Sequence, residues 1–130
     1  MADAATLQPG SAMPHLTVRT VRGSLFSYST VWQRTSLLFV ALPSDDSGAA
    51  YACQLSTRNL AIADQNAVCV VTRDAVPGLP AAAVLIADRW GEIIHVATAA
   101  DVTGLPAPED LIAWLEHVAH RCPECEGEAR

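Results

Sequence analysis

The sequence predicts an α/β domain built on a mixed sheet, and three features of its pattern support that class. Two apolar strands, SLLFVAL and AVCVVTR, are separated by a helix-forming segment, which is the order of a parallel pair joined by a crossover helix. Two further strands, AAVLIAD and EIIHVAT, are joined by the short turn RWG, which is typical of an antiparallel hairpin. The segment PEDLIAWLEHVAHR then predicts a final helix.

In chain order, the first predicted element is a hairpin, because HLTVRTVRGSLFSYS alternates around Gly23. The segment TVWQRT follows as a short turn or helical piece. SLLFVAL is nearly all apolar, as a strand covered on both faces should be. Residues from Gly48 to Asn66 are mostly helix formers and include no proline, so they predict one helix.

After the second buried strand, DAVPGLP predicts a loop because proline and glycine interrupt it. The final helix has an apolar face at spacings of three and four residues, formed by Leu111, Trp114, Leu115 and Val118. Pro108 suits its first turn, since a missing backbone N–H costs nothing there.

The composition indicates one soluble domain with an acidic surface. The chain has 130 residues and a net charge of −6, from 14 acids against 8 bases, and all eight bases are arginine. An acidic surface without a basic stripe argues against nucleic acid or an anionic membrane face as partner. The longest apolar runs, LLFVAL and AAAVLIA, are too short to span a bilayer, which argues against membrane insertion. The N-terminus lacks the basic and apolar regions of a signal peptide, so we expect a cytoplasmic protein. We divide it into a lead (1–12), a domain (13–120) and a polar tail (121–130).

Two of the four cysteines lie in predicted core elements. Cys53 falls in the first helix and Cys69 in a strand, and each is expected to be a small buried hydrophobe, since free cysteine is among the most buried residue types. Cys122 and Cys125 differ, because they form a C-x-x-C pair in the polar tail.

This order of elements resembles the thioredoxin fold in its redoxin version, which includes the peroxiredoxin-like alkyl hydroperoxide reductase/thiol-specific antioxidant family. LQPGSAMPHLTVRTVRGSLFSYS is similar to the family's opening, SLLFVALP to its central strand, and GLPAAAVLIADRWGEIIHV to the segment that carries a cis-proline and the edge hairpin. The resemblance implies a three-layer thioredoxin-like fold and places Pro80 at the cis-proline position. The usual helix between the second and third core strands is missing, since only DAVPGL links them.

The resemblance also implies a C-x-x-C pair where the central strand leads into the first helix. Those two positions fall on Ser44 and Ser47, and Cys53 lies several residues too late. A helix N-terminus activates a thiol by stabilising its thiolate, whereas a serine has no comparable ionisation. We therefore expect a degenerate active site, with Ser47 as an N-cap and Asp45 or Asp46 as acids beside the helix dipole.

The tail carries the second candidate site. His117, His120, Cys122 and Cys125 fall within nine residues, and two thiolates with imidazole nitrogens could complete a tetrahedral zinc site. A redox dithiol is the rival interpretation, although a helix C-terminus raises rather than lowers a thiol pKa. The third interpretation is an exposed polar tail whose two thiols have no special role.

The remaining histidines and tryptophans have mostly structural interpretations. His15 and His95 are expected as ordinary strand histidines, and the three tryptophans as core or rim residues. Trp90 is the exception, because a tryptophan at a hairpin tip is also a candidate docking anchor.

Two functions follow from these predictions. The first is a non-catalytic accessory or structural subunit that docks on a protein partner or a larger, redox assembly; a homo-oligomer is compatible with it. The second is a thiol-disulfide oxidoreductase or peroxiredoxin-like antioxidant protein that works through Cys122 and Cys125.

Overall fold

The computed structural model of the chain describes residues 7–120. Its strands are β1 (Thr17–Arg19), β2 (Leu25–Ser27), β3 (Ser36–Ala41), β4 (Ala67–Thr72), β5 (Ala82–Ala87) and β6 (Ile93–Ala99). Its helices are α1 (Asp46–Ser56), α2 (Asn59–Asp64) and α3 (Pro108–His120), and Tyr28–Thr30 and Val102–Gly104 form single 3-10 turns.

The central sheet has the strand order β4-β3-β5-β6. β3 and β4 pair in parallel, whereas β5 pairs antiparallel with both β3 and β6. β1 and β2 form a separate antiparallel hairpin. The mixed sheet, the N-terminal hairpin and the β5–β6 hairpin all confirm the predicted arrangement.

The two faces of the sheet are covered by different elements. Alternate residues of β3, Leu38 and Val40, face a core that includes side chains from all three α-helices. Leu37 and Phe39 face the opposite core, which the β1–β2 hairpin and the loop after β4 complete. Every residue of β3 and β5 is buried, which explains why their sequences are continuous apolar runs.

The single helix expected from Gly48 to Asn66 is wrong, because the structure divides it into α1 and α2. The Thr57 hydroxyl donates to the carbonyl of Gln54 at 2.7 Å, and the N–H of Arg58 bonds Leu55 three residues back. Threonine and its neighbours Ser56 and Asn59 favour such local bonds over helix continuation. The break turns the chain toward β4.

The connection between β4 and β5 contains no helix, as the sequence predicts. The cis-proline prediction requires correction, since residues 7–120 include no cis peptide bond and the bond before Pro80 is trans. Pro80 is exposed in the loop. An X–Pro bond favours trans by about 0.5–1 kcal/mol, so a loop that does not impose cis leaves the proline trans.

The final helix lies where the pattern places it. Leu111, Leu115 and Val118 of α3 are buried against the sheet, and Trp114 packs at the rim of that core. Among residues 7–120, no helix has the length and apolar character needed to cross a bilayer.

Candidate functional site

The expected active site lies where β3 and β4 end. Because these strands are parallel, their carboxyl ends meet at one end of the sheet, and β3 leads there into α1. Asp45 is the N-cap of α1: its carboxylate accepts the N–H of Gly48 at 2.9 Å and the hydroxyl of Ser47 at 2.7 Å. The prediction that Ser47 is the cap is therefore wrong. Ser47 lies inside the first turn and donates to the cap.

The electrostatics of this turn favour a carboxylate. The hydrogen bond from Ser47 lowers the pKa of Asp45 most, the Gly48 N–H adds to it, and the charge of Arg73 contributes less. The negative charge also suits the positive end of the helix dipole. Ser44 precedes the helix and is exposed.

The turn is also tightly packed. A Cβ on Gly48 would lie 2.3 Å from the carbonyl oxygen of Pro43, so the backbone of α1 approaches the preceding chain more closely than any side chain allows. The turn thus holds a capped helix end, with no thiol in it.

Cys53 and Cys69 occupy different environments. Cys53 is exposed on α1, which corrects the expectation that it is buried. Cys69 is half-buried on β4 and packs against the helix-side core, and burial raises the pKa of its thiol to about 12. A thiol with so high a pKa is a poor nucleophile at neutral pH.

Tyr51 is a site residue that sequence reasoning missed. Its hydroxyl donates to the carbonyl of Pro106 at 2.6 Å and so joins α1 to the segment before α3. Burial raises the pKa of Tyr51 to about 12, and the charges of Cys69 and Asp110 add to the effect. The only sequence signal is a large aromatic residue on the buried side of α1.

Aromatic rings form a groove between β6 and α3. His95 stacks on Trp114 with ring centroids 4.3 Å apart, and His117 meets the same indole edge-on at 5.8 Å. Burial lowers the pKa of His95. The groove has a volume of about 580 Å³, and Asp110 is its acidic residue.

The predicted zinc or dithiol site is only partly covered by the structure. His117 is exposed on α3, whereas Cys122, Cys125 and the side chain of His120 lie outside the described residues. Within the part that the structure describes, no group of three histidine, cysteine or acidic side chains is placed to hold a metal ion.

A second aromatic cluster lies at the opposite end of the sheet, at the tip of the β5–β6 hairpin. Trp90 is 43% exposed, Arg89 lies over its ring at 4.9 Å, and Trp32 donates from Nε1 to the Trp90 carbonyl at 3.4 Å. His15 packs on Trp32 and Tyr28. It precedes β1, so its prediction as a strand histidine is wrong, whereas His95 does lie in β6.

Solved structures with this architecture include several thiol proteins. The chain is similar to the reduced 2-Cys peroxiredoxin of Plasmodium vivax, with a TM-score of 0.67, 10% identity, and coverage of 88% of this chain and 83% of that one. The fold is thioredoxin-like. The chain is also similar to the peroxidoxin BcpB of Mycobacterium tuberculosis, with a TM-score of 0.63, 8% identity, and coverage of 89% of this chain and 99% of that one.

A third similar structure is the thioredoxin domain of a thiol-disulfide oxidoreductase from Bacteroides vulgatus. Its TM-score is 0.54 at 14% identity, with coverage of 88% of this chain and 100% of that domain. No protein-family model and no curated protein matches the sequence. At these identities the likeness establishes the thioredoxin-like fold and not an activity.

Proposed function

We propose that this chain is a redoxin-like protein with a degenerate thiol site, which acts in the cytoplasm as a non-catalytic accessory or structural subunit of a larger, redox assembly. The observation that carries the proposal is the first turn of α1, where the Asp45 carboxylate caps the helix and the Ser47 hydroxyl donates to it. These groups occupy the turn in which the fold would place a reactive thiol.

The chemistry of that turn supports the loss of activity. A helix N-terminus promotes thiol chemistry because its positive end stabilises the thiolate. Here Asp45 brings a negative charge to the same end, and the Ser47 proton is directed to that carboxylate. Asp45, which accepts the Ser47 hydroxyl, also accepts the N–H of Gly48, and these bonds lower the pKa of Asp45. A carboxylate with a lowered pKa is a weak base, so Asp45 is poorly suited to activate Ser47.

The surroundings of the turn also support the loss of thiol activity. The loop of residues 73–81 replaces the helix that the resemblance leads us to expect, and Pro80 is trans and exposed. Both differences change the wall against which a disulfide or peroxide substrate would be held.

Docking is best supported at the β5–β6 hairpin tip. Tryptophan and arginine are the residues most often found at energetic hot spots of interfaces. Trp90 and Arg89 stand together there, and Trp32 fixes the backbone beneath them through its bond to the Trp90 carbonyl. We infer that a protein partner covers this tip.

The second candidate function is a thiol oxidoreductase that uses Cys122 and Cys125. It is favoured by the similar structures, which include a 2-Cys peroxiredoxin and the thioredoxin domain of a thiol-disulfide oxidoreductase. The two functions predict different results in one experiment.

The experiment measures turnover of insulin disulfides and of hydrogen peroxide by purified protein supplied with a thiol reductant. The accessory function predicts no turnover above the reductant alone. Turnover that the C122S/C125S variant loses and the C53S variant keeps would establish the dithiol function instead. Turnover lost in C53S alone would contradict both.

We also propose zinc as the ligand of the tail, held by Cys122 and Cys125 with His117 or His120. Native mass spectrometry of protein purified without chelator should show one zinc mass that acid removes and that C122S/C125S lacks. A metal-free wild-type chain would overturn the proposal.

A further inference from the structure

A cleft lies beside the outer edge of β4, between α1 and the loop of the β1–β2 hairpin. Its volume is about 640 Å³, within the range of clefts that hold small molecules. Cys53 and Cys69 both line it, although they come from different elements. The cleft is separate from the groove between β6 and α3 and from the hairpin tip.

The charge of the cleft is opposite to that of the whole chain. Arg22 and Arg73 line it, and none of the acidic residues that the structure describes does so. This occurs in a chain with 14 acids and 8 bases. Arg22 is close enough for its charge to act on the Cys69 thiol across the cleft wall, and the charge of Arg73 reaches Asp45 at the entrance of α1.

The two arginines converge because the hairpin loop is fastened to β4. The N–H of Val21 bonds the carbonyl of Val71 at 2.9 Å, and the Thr72 hydroxyl donates to the carbonyl of Arg19 at 2.7 Å. The loop itself is closed by Thr20 and Ser24, whose hydroxyls are 3.0 Å apart. The loop backbone that carries Arg22 is therefore held beside β4 before any ligand arrives, which reduces the entropic cost of binding.

The opposite wall is largely apolar. Ala49 and Ala52 of α1 and Val71 of β4 supply apolar surface there, and Ser24 and Asn59 line it with hydroxyl and amide groups. Apolar walls with a few convergent charged groups are the usual composition of a small-molecule site. A ligand that fits both walls therefore needs an anionic group and an apolar part.

We propose that this cleft binds a small organic anion, with its carboxylate, sulfonate or phosphate group held by Arg22 and Arg73 and its apolar body lying against Ala49, Ala52 and Val71. Guanidinium groups bind such anions through charge-assisted hydrogen bonds. The proposal is independent of the accessory function, because it uses neither the first turn of α1 nor the tail.

The test compares octanoate with octanol, which share an apolar chain and differ in charge. Titration calorimetry on the full chain should detect octanoate at millimolar concentration and find octanol at least about tenfold weaker. Arg22→Gln and Arg73→Gln should each weaken octanoate about tenfold, whereas Arg22→Lys should recover most of that loss. Arg89→Gln is the matched control at the far hairpin tip and should leave the affinity unchanged.

A second readout locates the ligand. Cys53 lies on the cleft wall and is exposed, so alkylation of Cys53, followed by peptide mass mapping, should slow when octanoate is present and not when octanol is. Equal binding of the two probes, wild-type affinity in both glutamine variants, or no octanoate binding at all would each overturn the proposal. Circular dichroism of every variant checks that it is folded like the wild type.

Discussion

The two ends of the central sheet each hold a buried tyrosine, and the two tyrosines are treated differently. At the α1 end, Tyr51 donates its hydroxyl to Pro106 at 2.6 Å. At the hairpin-tip end, the hydroxyl of Tyr28 is buried and has no hydrogen-bond partner among the described residues. At the α1 end the buried tyrosine hydroxyl is hydrogen-bonded. At the hairpin-tip end a buried hydroxyl without a described partner lies near exposed indole rings.

This difference runs against the usual use of the fold. The end that carries chemistry in a thiol enzyme is here a tightly packed helix cap, with Gly48 against Pro43 and Asp45 holding the first turn. The opposite end exposes Trp32 and Trp90. The tightly packed helix cap and the exposed indole rings therefore lie at different ends of one sheet.

The largest effect is expected from Gly48→Ala. Its new Cβ would lie 2.3 Å from the Pro43 carbonyl oxygen, which is backbone and cannot rotate away. We expect a loss of about 2–3 kcal/mol in the free energy of unfolding, measured with urea. Ala50→Ser, on the exposed side of the same helix, is the control and should stay within about 0.5 kcal/mol. A Gly48→Ala loss as small as the control would show that the α1 end is loosely packed.

The paired variants Tyr51→Phe and Tyr28→Phe test the comparison directly. Tyr51→Phe leaves the Pro106 carbonyl without its donor and should cost about 1–2 kcal/mol in urea unfolding, whereas Tyr28→Phe removes an unpartnered hydroxyl and should be neutral or stabilising. A larger loss of unfolding free energy in Tyr28→Phe than in Tyr51→Phe would contradict this difference between the two tyrosines.

The raised pKa of Tyr51 also predicts how the free energy of unfolding changes at alkaline pH. Burial places the folded pKa of Tyr51 at about 12, above its ordinary value of 10.0, so its contribution is complete below about pH 10 and is lost as pH rises toward 12. Tyr51→Phe should therefore flatten the decline of stability between pH 10 and 12. An unchanged decline would place its cause elsewhere.

A smaller effect is expected from Asp45→Asn at the helix cap. Hydrogen bonds from Ser47 and Gly48 lower the pKa of Asp45, so its contribution is present above the ordinary value of 3.8 and is lost as pH falls below it. The thermal midpoint at pH 7 should drop by about 3 °C, and this difference should shrink as the pH falls below 3.8. Asp46→Asn is the control; a difference that persists in acid would not come from this carboxylate.

The smallest effect on stability is expected from Trp90→Ser at the hairpin tip. Its ring is 43% exposed, and the bond that Trp32 makes goes to its backbone carbonyl, which the variant keeps. The free energy of unfolding should change by less than about 0.5 kcal/mol. Trp114→Ser is the comparison, since it removes the ring that stacks on His95, and it should cost more. A large cost for Trp90 would make it a packing residue and remove the argument for docking.

The sequence predicted those parts of the fold that depend on one local pattern. The apolar run of β3 and the periodic face of α3 specify burial directly, and both were confirmed. The break at Thr57 was missed because it depends on one hydroxyl that bonds Gln54, which a composition of helix formers does not reveal.

The candidate site was less predictable, because it depends on residues that are distant in the chain. Ser47 and Asp45 are both good cap residues, and only the geometry of the turn decides between them. Arg22 and Arg73 come from separate loops, and their convergence follows from the bond between Val21 and Val71. No spacing in the sequence indicates that meeting.

The edges of the sheet limit how copies of this chain could assemble. On one side, the bond from Val21 to Val71 and the bridge from Thr20 to Thr72 occupy part of β4. On the other, residues 10–13 cover only the beginning of β6, and no described residue pairs with its outer edge beyond Ile93. Any strand that adds to this sheet is therefore confined to the stretches that these contacts leave unpaired, which lie along part of β4 and along β6 beyond Ile93.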